Sequence, residues 1–429
     1  MERDKIDYEA DIFKKNNRLL AYFWLGFIVY TVSFAIYTTD ILNRVFCVSV
    51  QLIGLILLLP AAYRLISFKI ENNYLKTIYI LYFGWLLTVI FRGFIFDSVF
   101  LKYMLFNPFN GIFLYLVPLV LFFPSELEYY KHVFNTIVTL ALFFIFYDLL
   151  FVNYLVHDIA GKGQSLIEYF SLTLSIPAGF ILLTYIYHSN KRNLLALITI
   201  LLMILFAIIR ARRGLVFISG SIFASFILIY CYINRRNSRA FLTLLSFFLI
   251  AILADNFDNP YQNLGIFNNL NNRIGEDTRT TVVDYFYAGM TQKDWIVGKG
   301  INGMYYAPTG EEDNPKAPYR DGIENNYLNI ILKGGIISLA LLLLIAVPAI
   351  FKGLFFSKNM LSKASAIWIL LWMLDLYPST VTTFTLNYLL VWISIGVCYS
   401  KEIRSLTDKD IQDALKSNSY PGDNNLELI

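Results

Sequence analysis

Long apolar blocks separated by short polar connections run along almost the whole of this chain. Twelve of them read as membrane spans: Leu19–Tyr37, Val45–Ala62, Thr77–Phe91, Tyr103–Phe123, Val133–Leu155, Leu166–His188, Leu194–Ile209, Gly214–Ile233, Ala240–Ala254, Tyr327–Ile350, Ala364–Leu376 and Thr383–Cys398. A span needs about 20 mostly apolar residues. Several blocks are short, and the last two share one apolar stretch interrupted by Asp375 and Pro378. They read as a two-span hairpin or one re-entrant element, so the total is twelve or eleven. The first block follows eighteen mostly polar residues and has no small-residue cleavage site after it, as in a retained signal anchor.

One polar connection, 255–326, is far longer than the rest and is rich in Asn, Asp, Gly and Tyr, with Asp-Asn-Pro at 258–260 and again at 313–315. A structureless loop of that length is unusual unless it is functional. Within it, 277–289 has the pattern of a short helix capped by Asp277 or Thr278, with Val282, Val283, Phe286 and Met290 on its apolar side. Gly298, Gly300 and Gly303 then punctuate a turn, and the acids Glu311, Glu312 and Asp313 belong to solvent. The tail 401–429 is polar and expected to be partly unstructured. With 57% hydrophobic and 15% charged residues, against about 25% charged in soluble proteins, the chain is no soluble globular protein. Nor does it show the internal repeat of many secondary transporters. The pattern predicts an all-α polytopic membrane protein of about twelve helices, one domain over 1–429 with one large extracytoplasmic loop.

Charge placement sets the orientation. With both termini inside, the inner connections hold 21 Lys plus Arg and the outer ones 13, while Lys333 lies within a span. Six of the outer thirteen belong to the long loop, where the positive-inside rule weakens. Three of the remaining seven are Arg210, Arg212 and Arg213, packed into the four-residue turn between two spans. Arginine costs roughly 2.5–3.5 kcal/mol at mid-span and less near an end, and insertion does not require three at an outer boundary. A guanidinium matches phosphate with a rigid fork of donors, so the turn reads as an anion site. Snorkelling to lipid headgroups is the plainer alternative.

Glu324-Asn325-Asn326-Tyr327-Leu328 marks the point where the loop meets the next span. A carboxylate at that mouth can serve as a general base or simply favour a helix N-terminus. Glu276, Asp277, Asp284, Asp294 and Asp321 are rival acids. Of the loop cations Arg273, Arg279, Lys293, Lys299, Lys316 and Arg320, Arg279 and Arg320 are favoured, Arg279 because it opens the expected loop helix. Lys333 and Asp375 are intramembrane ionisable residues, functional candidates by default. Cys47, Cys231 and Cys398 fall inside apolar blocks and imply no disulfide or metal framework. There is no nucleotide-binding glycine motif and no metal-ligand pairing, and His132, His157 and His188 lie away from the loop. A lipid phosphate is therefore the expected anion, with no cofactor, no metal and no nucleic acid.

These elements, taken in order, resemble the O-antigen polymerase and O-antigen ligase superfamily, membrane glycosyltransferases of GT-C type. The carriers are Arg213-Gly214 at the start of a span, Arg279, the run Ile296-Val-Gly-Lys-Gly-Ile-Asn-Gly303, Glu324-Asn-Asn-Tyr-Leu328, and Lys333-Gly-Gly-Ile-Ile-Ser338. The resemblance covers about 195–350. It implies a GT-C-like fold and transfer of glycan from an undecaprenyl diphosphate carrier at the outer face of a bacterial inner membrane. The family's ligases have a histidine where this chain has Glu324, which favours a repeat-unit polymerase. Ser338 stands where a glycine is common. On this reading Arg210 and Arg213 hold the diphosphate and stabilise the leaving group, with Arg212, Lys299 and Asn325 as further substrate contacts. Arg279 and Arg320 close from the loop, Glu324 takes the proton of the acceptor hydroxyl, and a chain-length regulator is a possible partner. A ligase and a flippase for lipid-linked glycan are the competing functions. The flippase predicts charges spread through span interiors and no need for a long outer loop.

Overall fold

The computed structural model describes residues 2–40, 42–157, 162–234, 278–308 and 318–416. Over these the chain is a nearly all-helical bundle, and seven helices are long and apolar enough to cross a membrane: Asp11–Tyr37, Arg44–Leu65, Asn73–Phe91, Leu127–Leu150, Asn190–Ile209, Arg213–Ile233 and Asn326–Phe355. Helices satisfy every backbone group internally, as an apolar solvent demands. Their lipid-facing residues, such as Ile56, Phe91, Leu149 and Leu228, stay exposed. Ala240–Ala254 lies outside the described residues, as do both Asp-Asn-Pro turns.

Two apolar blocks differ from the single spans expected of them. Tyr103–Phe123 is broken after the helix Ser98–Phe106, where Asn107 bonds the N–H groups of Phe109 and Asn110 through its side chain. Pro118 then opens a 3₁₀ stretch, Val117–Phe122. Leu166–His188 is divided into Gly163–Phe170, a π-turn Ser171–Ser175 and, beyond Pro177, Ala178–Leu183. Proline cannot donate to the preceding turn, and hydropathy alone does not register that break. The last two blocks resolve as a helical hairpin, Met360–Asp375 and Leu386–Tyr399, with Trp372 stacked on Tyr388 near its tip.

Small residues set the closest helix contacts, as in other apolar bundles. A Cβ on Gly26 would lie 2.6 Å from the Gly54 carbonyl oxygen, so the first two helices touch backbone to backbone. The described part of the tail, 401–416, is docked on the bundle. Lys401–Ser405 and Asp408–Lys416 are helical, Ile411 is fully buried, and Asp408 accepts from both the Tyr187 hydroxyl and the Met360 N–H. Its few apolar residues, Ile403, Leu406, Ile411 and Leu415, are enough to dock it on the bundle.

The long loop is anchored by an interrupted helix. Asn326–Phe355 carries non-helical Gly335 (φ 70°, ψ −179°). Carbonyls just before such a break lose their usual i+4 partners. Here Leu332 and Lys333 accept from the Lys299 and Gly300 N–H groups at 2.7 and 2.9 Å, and Gly334 accepts from Trp85 Nε1 at 2.8 Å. Gly298 faces this break so closely that a Cβ on it would lie 2.5 Å from the Gly334 and Gly335 nitrogens. The two glycine motifs 296–303 and 333–338 are therefore two halves of one joint. Arg92 completes it, donating to the Val297 and Gly298 carbonyls at 2.6 and 3.1 Å. Partial burial there lowers the Arg92 pKa. The loop helix Thr278–Ala288 lies over the same region, with Phe286, Met290, Tyr305, Ile323, Ile331 and Leu332 in one apolar cluster flanked by Val282 and Val283. A short antiparallel pair, Tyr305–Tyr306 with Tyr319–Arg320, closes the loop.

Candidate functional site

The arginine turn begins as a helix C-terminal cap. Arg212 N–H bonds the Ala207 carbonyl and Ala211 N–H the Ile208 carbonyl, with Ala211 left-handed (φ 51°). This 6→1 and 5→2 pattern is a Schellman motif, with alanine where glycine is usual. It reverses the chain at once, and Arg213 opens the next helix, Arg213–Ile233. Gly214 allows that helix start to press on the hairpin tip: a Cβ there would lie 2.6 Å from Ser379 Oγ.

The three guanidinium groups have different surroundings. Arg210 donates to the carbonyls of Leu155 and Tyr154, near the end of Val152–His157. Arg212 pairs with Glu168 at 2.9 Å. Arg213 is half-buried, and among the described residues it has no hydrogen-bond or ion-pair partner. Only one of the three thus retains its whole fork for a ligand.

Glu324 is brought to the same end of the bundle. It lies within electrostatic range of Glu168, the partner of Arg212. The 376–382 link ties the two sides together. Asn326 N–H donates to the Leu376 carbonyl at 2.8 Å, Asn326 Nδ2 to Thr382 Oγ1 at 2.8 Å, and Thr380 Oγ1 to the Ile323 carbonyl at 3.4 Å. Glu324 is exposed. It stands in the bend before the helix, and the N-cap is Asn325, whose side chain accepts from Leu328 N–H. Capping therefore does not account for Glu324, whereas it does account for Asn325.

The other expected contacts divide similarly. Lys299 donates to the Gly289 and Met304 carbonyls at 2.7 and 3.2 Å and so staples the loop. Arg320 is half-buried on its strand opposite Tyr305. Arg279 occupies the first turn of the loop helix, and its side chain lies outside the described residues. Of the rival acids, Asp294 forms a capping box with Thr291, Asp284 is exposed, and Asp321 accepts from the Tyr103 hydroxyl at 3.1 Å. Glu276 and Asp277 lie outside the described residues. Glu168 was missed by the sequence reading, although a carboxylate inside an apolar block is itself a signal.

Beside this end of the bundle a cleft opens between Asn73–Phe91, the 107–115 bend and Asn326–Phe355. Lys333 lines it and donates to the Gly303 carbonyl at 3.0 Å. Thr382, bonded to Asn326, belongs to the same wall. Phe109, also in the wall, packs on Tyr169 beside Glu168. The cleft and the arginine turn therefore share a border. No known protein family, curated protein or solved structure matches this chain.

Proposed function

We propose that the chain is a repeat-unit polymerase of a surface polysaccharide, moving glycan from an undecaprenyl diphosphate carrier to a sugar hydroxyl. On this reading it resides in a bacterial inner membrane with its site facing the periplasm or exterior. The observation that carries it is Arg213, a partly buried guanidinium without a protein partner among the described residues, beside the Arg212–Glu168 pair and Glu324. Its fork suits a diphosphate oxygen pair. Arg213 would stabilise the charge that grows on the diphosphate as the anomeric bond breaks. Glu324 would accept the proton of the attacking hydroxyl. Arg210 and Arg212 then act chiefly by holding the turn, which narrows the role first expected of them.

Removing one such electrostatic donor typically costs about 10²–10³ in rate. In a deletion strain carrying Arg213→Ala, gels of surface glycan should show one repeat per lipid in place of a ladder. Arg213→Lys should restore little, since a point charge lacks the fork. A full ladder from Arg213→Ala at normal expression would remove the reading. Free polymer absent from the lipid core would instead indicate a ligase.

A further inference from the structure

The first two helices enclose a hollow beside the point where they meet. They touch backbone to backbone at Gly26 and Gly54. Between that contact and the link at Asp40 runs a groove of about 180 Å³. Its walls are Val29, Val32 and Ile36 of one helix, Phe46 and Val50 of the other, and Phe143 of Leu127–Leu150. Four of these six are β-branched, short and stiff at χ1, so they cannot swing across to fill the gap. Ser33, also in the wall, gives its hydroxyl to the Cys47 carbonyl at 2.7 Å, which leaves the lining apolar. A dry apolar cavity of about 150 Å³ is enough to hold benzene, so this groove accepts a stretch of hydrocarbon chain. Phe46 is 58% exposed at its edge, and the groove therefore opens on the lipid-facing surface.

The mouth of the groove is charged. Arg44 stands in sequence between Leu42 and Phe46, both in the wall, and lies over the Tyr37 ring at 5.8 Å. It pairs with Asp40 Oδ1 at 3.0 Å, while Lys162 approaches Asp40 Oδ2 at 3.5 Å. The Arg44 hydrogen bond, with Lys162 adding to it, holds the Asp40 carboxyl below its ordinary range, so it stays ionised. Two cations thus share one carboxylate, with one positive charge in excess among the described residues. The Arg44 side chain is 70% exposed and that of Lys162 44%, so both keep donors for a ligand. Lys162 immediately precedes Gly163–Phe170, the helix that carries Glu168, which puts this mouth at the same end of the bundle as the arginine turn.

We propose that the groove holds one acyl chain of an anionic membrane phospholipid, with the lipid phosphate against Arg44 and Lys162. An anionic headgroup balances the single excess charge. A zwitterionic headgroup brings a cation of its own, and both Asp40 oxygens are already engaged. The site goes beyond the polymerase reading and does not draw on it.

The test is native mass spectrometry of the purified full chain in detergent, titrated with dioleoyl phosphatidylglycerol. Wild type should carry one such lipid more tightly than the rest. Val32→Phe, which fills the groove, should lose that tight step. Arg44→Gln and Lys162→Gln should each weaken it about fivefold, the worth of one cation near an anionic headgroup. Both glutamine variants lie at the exposed mouth and keep the test open if Val32→Phe fails to fold. Dioleoyl phosphatidylethanolamine should also bind about fivefold more weakly. Wild-type affinity for phosphatidylglycerol in these variants, or equal affinity for the two lipids, overturns the proposal. A preference for undecaprenyl phosphate over phosphatidylglycerol overturns it too, in favour of a polyprenyl tail. Arg213→Ala should bind like wild type. Loss of the tight step in that variant would move the lipid to the arginine turn and remove the groove proposal, leaving the polymerase reading to its own gel assay.

Discussion

Replacing Gly335 by alanine puts a Cβ where no space exists for one. The new carbon would lie 2.0 Å from the Ile296 carbonyl oxygen, at φ 70° and ψ −179°. Side-chain-bearing residues all but avoid that backbone region, at a cost of about 1–3 kcal/mol. Forcing extra atoms into a packed contact costs a further 1–3 kcal/mol or so. Backing the loop away would forfeit the Lys299 and Gly300 bonds to the freed carbonyls, each worth roughly 0.5–1.5 kcal/mol. The loop, held by far less than the bundle, should yield first. Limited proteolysis of the purified protein should then cut near 298–304 at protease levels that leave wild type intact, before any change in helical content on heating. On the proposed polymerase reading, surface glycan should shorten in parallel. Wild-type protease resistance together with an unchanged melting profile in Gly335→Ala would refute the account of the joint.

Arg210→Ala should lower the melting temperature, since charged hydrogen bonds to the Tyr154 and Leu155 carbonyls contribute about 1.5–3 kcal/mol each. Arg213→Ala, with no protein partner among the described residues to lose, should melt like wild type; equal melting of the two variants would contradict the division of roles. On the proposed polymerase reading, Glu324→Gln should abolish chain extension at normal expression, and undiminished polymer length on gels would leave Glu324 no part as the base. Ile411→Ala, which empties a fully buried site in the tail, should cost about 2–5 kcal/mol in denaturant unfolding; no measurable loss would mean the tail is not docked.

Hydropathy revealed the membrane class and most long helices, because an uninterrupted apolar run leaves the backbone few alternatives. It failed where the chain breaks inside apolar sequence. Asn107 and Pro177 redirect the backbone inside blocks that stay apolar on average, so 103–123 and 166–188 read as spans that the structure divides. The site was legible as residue types but not as partnerships. Three arginines in one turn could be found by counting, but their separate surroundings depend on Glu168 and on the 154–155 carbonyls, which lie on other helices. The Lys-Gly-Gly run was visible as a motif, and only the fold explains it: Gly335 breaks a helix so that Gly298 can approach the break.

That broken helix makes the loop segment inseparable from its anchor. The backbone N–H groups of Lys299 and Gly300 end on carbonyls inside the Asn326–Phe355 helix, and Phe286 and Met290 share their apolar cluster with Ile331 and Leu332 of the same helix. Excised and expressed alone, residues 278–323 would meet water with those groups stripped of their counterparts. Antibodies or binders raised against such a fragment would select shapes the intact protein does not present, so reagents for this face need the whole embedded protein as their target.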